Sequence, residues 1–392
     1  MRILFTTHPA YGHFRPLLPV ADELRSREHE IRVATSARFR PVVEDHGLHA
    51  DPAGLDWLES DNSTIPEELR LPDGLALGQI FAHVFIWMTA VRLARDVIGL
   101  SRDWRPDIIV RETTEFGGAL AAEVLGVPIM GVQVAAPSVM KAALLAETDV
   151  AWNDARRELG LPPDPGSRRL LGQPIACFAP PALHEPDVPL PPGLVSFGPP
   201  PAWAAIGQVS ALDGLGVDRP MVYATLGTVF NQYASEPFFS AVLDGLRGQP
   251  VDLVVTVGPG VDPAVLGEQP SNVRVAAYLP QRAVLERCAA VVCHGGFGTL
   301  LDAIDAATPL LIVPFGADQH VNAQSVERLG IGRVVDPKSL TGVMVRESVG
   351  SLLNDASCRE NISRLRDEWR ALPGPVAAAE MVEQMVRRPA TG

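Results

Sequence analysis

The 392-residue sequence is short of several things, and each shortage removes a class of function. Only two of its 33 basic residues are lysines, Lys141 and Lys338, and the formal net charge is −13. No dense run of Lys or Arg occurs, so a sequence-nonspecific grip on nucleic acid or on an anionic membrane is not expected. No uninterrupted apolar run reaches the roughly 18 residues of a membrane span. The apolar stretch at Ile3-Leu4-Phe5 is too short for a secretory leader, so a cytoplasmic location is expected. The four cysteines, Cys177, Cys288, Cys293 and Cys358, form no C-x-x-C pair, which argues against a zinc site or a disulfide framework. No Asp-x-Asp occurs, so a metal-diphosphate motif of that type is absent and no metal is expected. What the chain does have is core material. It is 47% hydrophobic and 20% charged, enough for two or three domains at about 150 residues each.

The hydrophobic pattern reads as two αβ series. Ile3 to Thr6 is a strand, Thr7 to Gly12 a loop, and Leu17, Leu18, Ala21 and Leu24 recur at helical spacing before a second strand, Ile31 to Thr35. Such a βαβ unit implies a parallel sheet with right-handed crossovers. Further strands are predicted at Asp107 to Val110 and around Pro128 to Val134, with a helix from about Gly117 to Leu125. Residues 186 to 201 hold seven prolines, which stiffen the chain and cannot donate to a sheet ladder, so the domain boundary is placed just after them. A second series then begins, with strands at Met221 to Thr225, Asp252 to Val257, Val273 to Ala276, Ala290 to Cys293 and Pro309 to Val313.

Chemistry-bearing residues cluster at predicted strand ends. Ala290 to Cys293 runs into His294-Gly295-Gly296-Phe297-Gly298-Thr299 and a helix from about Phe297 to Ala306. Glycines admit close backbone approach, and a helix N-terminus offers free N–H groups and partial positive charge, which suits a phosphate. A tight turn needing glycine only for packing would look the same. Gly227-Thr228 is a second phosphate candidate, and Asp318-Gln319 offers an acceptor beside an amide for sugar hydroxyls. In the first half, His13 follows the first strand, and Glu112 and Glu115 follow the strand at Asp107 to Val110 on the same rim. An imidazole with a carboxylate behind it follows the base-and-orienter logic of a catalytic triad. Trp57, Phe81, Phe85 and Trp87 lie in a less regular stretch, about 56 to 97, and fit either a core or the wall of a pocket.

The ordered set of motifs resembles the GT-B glycosyltransferases, specifically their nucleotide-sugar-dependent natural-product branch (antibiotic, macrolide and calicheamicin-type enediyne enzymes). The matching features are G-H-x-x-P after the first strand, L-G-T at the opening of the second half, then Y-L-P-Q, H-G-G-F-G-T and P-F-G-A-D-Q-H-x-N-A. They span essentially the whole chain. The resemblance implies an α/β fold of two Rossmann-like doubly wound parallel-sheet domains facing each other across a cleft. The acceptor-binding domain would be residues 1–205 and the donor-binding domain residues 206–392, with the last helix, about 375–388, a candidate to pack back on the first domain. It implies that Tyr278, Leu279 and Gln281 bind the nucleoside, and that Thr228, His294, Gly295, Gly296, Gly298 and Thr299 hold the diphosphate. Asp318 and Gln319 would bind the sugar, His13 would be the general base, and Trp57, Phe81, Phe85 and Trp87 would wall the acceptor pocket. Many relatives carry Asp where Glu112 stands, and the orienting role is carried to Glu112 with Glu115 as the alternative. Plant relatives carry Asn where Gly298 stands, so only the backbone N–H of Gly298 can serve.

The implied reaction is inverting, metal-independent transfer of a sugar, a deoxysugar by resemblance, from a dTDP-sugar to a hydroxyl of a small hydrophobic acceptor in secondary metabolism. UDP-glucose is the competing donor, and a homodimer is left open. No cofactor, nucleic-acid partner or stable membrane insertion is implied. A GT-B epimerase would use the same donor site but would want carboxylates in place of His13. A nicotinamide-dependent oxidoreductase would want Gly-x-Gly-x-x-Gly after the first strand, which Thr7 to Gly12 does not supply. A noncatalytic activator of another transferase would need neither His13 nor the donor motifs.

Overall fold

The computed structural model describes residues 1–70, 79, 81–136, 147–200, 212–227, 231–258 and 261–387. The described chain divides into two compact units. The first comprises Met1–Phe178, Pro186–Gly198 and the C-terminal segment from Leu372; the second comprises Ala179–Glu185 and the chain from Pro199 to Ala371. The division is therefore not a single cut, and the predicted boundary at 205/206 falls outside the described residues.

The first unit is built on a seven-stranded sheet of order β3-β2-β1-β4-β5-β6-β7. Its strands are β1 (Arg2–Thr6), β2 (Glu30–Thr35), β3 (His49–Pro52), β4 (Ile108–Glu112), β5 (Ile129–Val132), β6 (Ile175–Cys177) and β7 (Leu194–Ser196). Every pairing is parallel. The central strands are apolar on both faces because both faces are covered. Ile3 and Phe5 point to one layer with Val33, Val110 and Met130, and Leu4 points to the other with Ala34 and Ile109. The first layer includes Leu18, Val20, Ala21 and Leu24 of the helix Leu18–Ser26, together with Ala378, Ala379 and Val382 of the last helix, Pro375–Arg387. Glu383 fixes that helix by accepting from His29 Nε2 at 2.9 Å.

The second unit carries a six-stranded sheet of order β10-β9-β8-β11-β12-β13, again all parallel. Its strands are β8 (Met221–Thr225), β9 (Asp252–Thr256), β10 (Val273–Ala276), β11 (Ala290–Cys293), β12 (Leu310–Ile312) and β13 (Gly332–Val334).

The sequence reading missed β3, β6, β7 and β13, all of three or four residues and all toward sheet edges. Strand β7 lies inside the proline-rich stretch assigned to a boundary. Its three residues, Leu194, Val195 and Ser196, fall between the prolines, so the strand keeps every N–H it needs for its single ladder at the sheet edge. Among the described residues no helix is long and apolar enough to cross a membrane.

Candidate active site

Register places the candidate residues of the first unit on one rim. Thr6 of β1 pairs with Arg111 of β4, so the residues that follow each strand emerge side by side. Beyond β1 the chain turns through His8 into a short helix, Tyr11–Phe14, that carries His13. His13 Nδ1 lies 3.0 Å from Glu112 Oε1 and 3.0 Å from Thr114 Oγ1. A carboxylate only accepts, so Nδ1 carries the proton and Nε2 is the nitrogen left for chemistry. The Thr114 hydroxyl donates to Glu112 at 2.7 Å.

Arg111 holds this turn in place from beneath. Its buried guanidinium donates to the carbonyls of Glu112 (3.1 Å), Thr113 (2.9 Å) and Glu115 (2.8 Å), and to Gln173 Oε1 (3.2 Å). Glu112 is fully buried. Burial opposes its ionisation, but His13, His8 and Thr114 outweigh that and bring its pKa down to about 2.

Glu115 has a different task. It accepts from the Thr6 hydroxyl and from the N–H groups of Gly117 and Gly118, capping the helix Gly117–Leu125. Burial pushes its pKa up to about 7. A Cβ on Gly118 would collide with Thr6 Oγ1, so this cap closes only over glycine. Of the two carboxylates proposed to orient His13, Glu112 contacts it.

Sequence reasoning passed over two further residues at this rim. His8 Nε2 donates to the Thr114 carbonyl at 3.1 Å, and its ring stands perpendicular to that of His13 with centroids 5.6 Å apart. Burial lowers its pKa, so it is neutral. Glu59 Oε2 lies 3.1 Å from His13 Nε2, an ion-pair distance without hydrogen-bond alignment. Burial is the largest influence on His13 and favours the neutral ring, yet Glu59 and Glu112 together raise its pKa well above the usual histidine range.

The aromatic residues separate. Phe85 lies against both His8 (4.8 Å) and His13 (5.9 Å), within a π-helical segment, Ala82–Met88. Such segments recur at functional sites. Phe81 packs edge-on to Phe85, and Trp57 is buried with Leu69 and Met88 while its ring edges toward His8. Trp87 is 60% exposed and lies against His83, not with the rings around His13. Its neighbour Met88 is buried, whereas Trp87 is exposed.

In the second unit, β8 and β11 pair through Thr225 and Cys293, so Gly227 and His294 emerge together. Gly227 (φ +68°) lies directly against the His294 ring. His294 is buried, and burial brings its pKa down to about 4, so it acts as a neutral donor. Gly295 (φ +84°) would place a Cβ 2.6 Å from Ile312, so the close turn there excludes any side chain. Gly296 is the N-cap of the helix Phe297–Ala306 and supplies no capping side chain, which leaves first-turn N–H groups for an anion. Gly298 is exposed on that turn. Thr228 lies outside the described residues.

Around this turn the remaining candidates take up positions of their own. The Thr299 hydroxyl donates to Gln281 Oε1 at 3.2 Å, and Gln281 Nε2 donates to Asp302 at 2.7 Å. Gln281 therefore braces the helix that carries Gly298 and Thr299. Tyr278 is 56% exposed, with its ring available for stacking, and Leu279 is buried. Gln319 is fully buried. Its Oε1 accepts from the N–H groups of Phe315 (2.7 Å) and Gly316 (3.1 Å), which leaves Nε2 without an acceptor among the described residues. Asn322, unassigned in the sequence reading, donates to Gly295 O (2.8 Å) and Asp318 Oδ2 (3.1 Å), tying the glycine turn to Asp318.

Residues 240–386 match the family described as Erythromycin biosynthesis protein CIII-like, C-terminal domain. Among curated proteins, the L-demethylnoviosyl transferase of Streptomyces niveus is 29% identical, over 97% of this chain and 97% of its own length. The crystal structure of the glycosyltransferase SnogD from Streptomyces nogalater is similar over 98% of this chain and 99% of its own, at 28% identity and TM-score 0.78. That of CalG4, the calicheamicin glycosyltransferase, covers 99% of each chain at 25% identity and TM-score 0.80. With the two parallel sheets and the ordered motifs, these matches support a natural-product glycosyltransferase of GT-B fold.

Proposed function

We propose that this chain is a cytoplasmic, metal-independent, inverting transferase. In this reading it moves a deoxysugar from a dTDP donor to a hydroxyl of a small apolar natural-product acceptor. The observation that carries the reading is the hydrogen bond between His13 Nδ1 and Glu112, which orients the ring so that Nε2, once its own proton has left, receives the acceptor's. The acceptor oxygen attacks the anomeric carbon on the face opposite the diphosphate. The new C–O bond forms as the bond to the phosphate oxygen breaks, and the electron pair leaves with the diphosphate. The hydroxyl proton passes to Nε2, and Glu112 stabilises the imidazolium.

Residues 1–205 are assigned acceptor recognition, with Phe85, Phe81 and Trp57 as its apolar side, and residues 206–392 the donor. The diphosphate takes the turn His294, Gly295, Gly296, Gly298 and Thr299; the motif resemblance assigns Thr228 to the same group. Backbone N–H groups at the helix start are left uncapped for that charge, with the neutral His294 ring beside them, which is the arrangement that stabilises a leaving group. Tyr278 stacks on the base, and Asp318 with Gln319 Nε2 binds sugar hydroxyls. The assay is transfer from dTDP- and UDP-sugars of known anomeric configuration to polyketide and aromatic alcohols, with the product linkage read by NMR. An inverted linkage made from the dTDP donor supports the reading. A retained linkage, or a preference for UDP-glucose, contradicts it.

A further inference from the structure

The acceptor-side nitrogen of His13 is not open in this structure. Nδ1 is satisfied by Glu112 and Thr114, and Glu59 Oε2 stands 3.1 Å from Nε2. The backbone of Glu59 is anchored. Its N–H donates to Pro9 O at 3.3 Å, the turn is closed by a bridge between Leu58 and Asp61, and the neighbouring Trp57 is buried. Its carboxylate end is not anchored in the same way: Oε2 is buried and makes no aligned hydrogen bond among the described residues. A carboxylate held by one ion-pair contact on a fixed backbone can leave by side-chain rotation alone.

We propose that Glu59 is a positioning residue for acceptor entry: its carboxylate occupies the place of the acceptor hydroxyl at His13 Nε2, and transfer begins when that hydroxyl displaces it. The proposal rests on the reading of His13 as general base. The charged and titratable groups facing the ring are Glu112 from the end of β4, Glu59 from its turn, and His8 from the loop after β1; Phe85 adds a ring without charge. His8 is neutral, so the empty site is one imidazolium between two carboxylates. An imidazolium cannot accept a proton. As Glu59 swings away, the Nε2 proton passes to solvent water, and the neutral ring then takes the acceptor's proton. Acceptors without a hydroxyl able to take the carboxylate's place would bind poorly, so Glu59 also selects.

The test is an NMR titration of the His13 ring in the ligand-free, full-length protein, alongside the pH profile of kcat/KM for the acceptor. In Glu59→Gln the ring should titrate at least about one pH unit lower. The acid limb of kcat/KM should move down by the same amount, raising kcat/KM on that limb about tenfold for each pH unit it moves. Glu59→Asp, which keeps the charge but withdraws it by one methylene, should fall between the two. A merely structural Glu59 would lower activity at every pH without moving the limb. Coincident ring titrations in all three proteins overturn the proposal. Should His13→Ala keep full activity while the ring pKa still follows residue 59, the base assignment fails and the contact stands.

Discussion

A Cβ on Gly227 would come within 2.9 Å of His294 Cε1, so the glycine that follows one strand leaves the space that the histidine following its neighbour fills. Gly227 also has φ +68°, a conformation costing an L-residue roughly 1–2 kcal/mol. Gly227→Ala should destabilise the protein by about that amount and push the His294 ring aside. Calorimetric titration with dTDP should show weaker binding than in the wild type. Unchanged affinity would mean that the ring does not face the diphosphate.

His294→Ala should weaken dTDP binding by about 10- to 150-fold, the equivalent of one hydrogen bond to a charged group at roughly 1.5–3 kcal/mol. Because the ring is neutral, with a pKa near 4, wild-type dTDP affinity should show no His294 titration between pH 6 and pH 8. Thr299→Val should cost less, because that hydroxyl is bonded to Gln281 and supports the turn through it. Loss of acceptor binding in His294→Ala, with dTDP binding spared, would reverse the assignment of the two units.

The two buried glutamates should separate by pH. Glu112 is held at about 2, so its stabilising contribution is present above the ordinary carboxylate pKa of 4.5 and is lost as pH falls toward 2. Glu115 is raised to about 7, so its contribution is fullest below 4.5 and declines as pH rises through 7. Urea unfolding across pH should show Glu115→Gln flattening the neutral slope with little loss of transfer rate. Glu112→Gln should flatten the acid slope and slow transfer. Slow transfer in Glu115→Gln, with Glu112→Gln unaffected, would exchange their roles.

Transfer should persist in excess EDTA, because amides at the start of the helix Phe297–Ala306 and His294 are assigned the charge that a divalent cation would otherwise meet. Complete loss, restored by magnesium, would contradict that assignment.

The sequence made the central strands legible and most of the edges not. β8 and β11 are apolar runs whose limits the pattern located to the residue, as were those of the helices Gly117–Leu125 and Phe297–Ala306; of the edge strands only β10 was located. β3 reads His-Ala-Asp-Pro and carries no periodic signal, because an edge strand needs only one partner and little burial. At the site, His13 and Glu112 stood out because each follows a predicted strand of a parallel sheet. Glu59 had no such marker. It sits on a turn 46 residues from His13, and a charge pair across that distance leaves no spacing to read. Arg111 was hidden for another reason: an arginine at the end of an apolar strand reads as solvated, whereas its guanidinium is buried among four oxygen acceptors. Asn322 lay inside a recognised motif, yet only the folded turn shows it joining Gly295 to Asp318.

The central claim is that His13 takes the acceptor's proton. Single-turnover transfer with His13→Ala, at saturating donor and acceptor, tests it most directly. The account predicts a rate lower by about 10²-fold or more, the usual cost of losing a general base, with dTDP affinity unchanged. A single-turnover rate equal to that of the wild type would remove His13 from the chemistry.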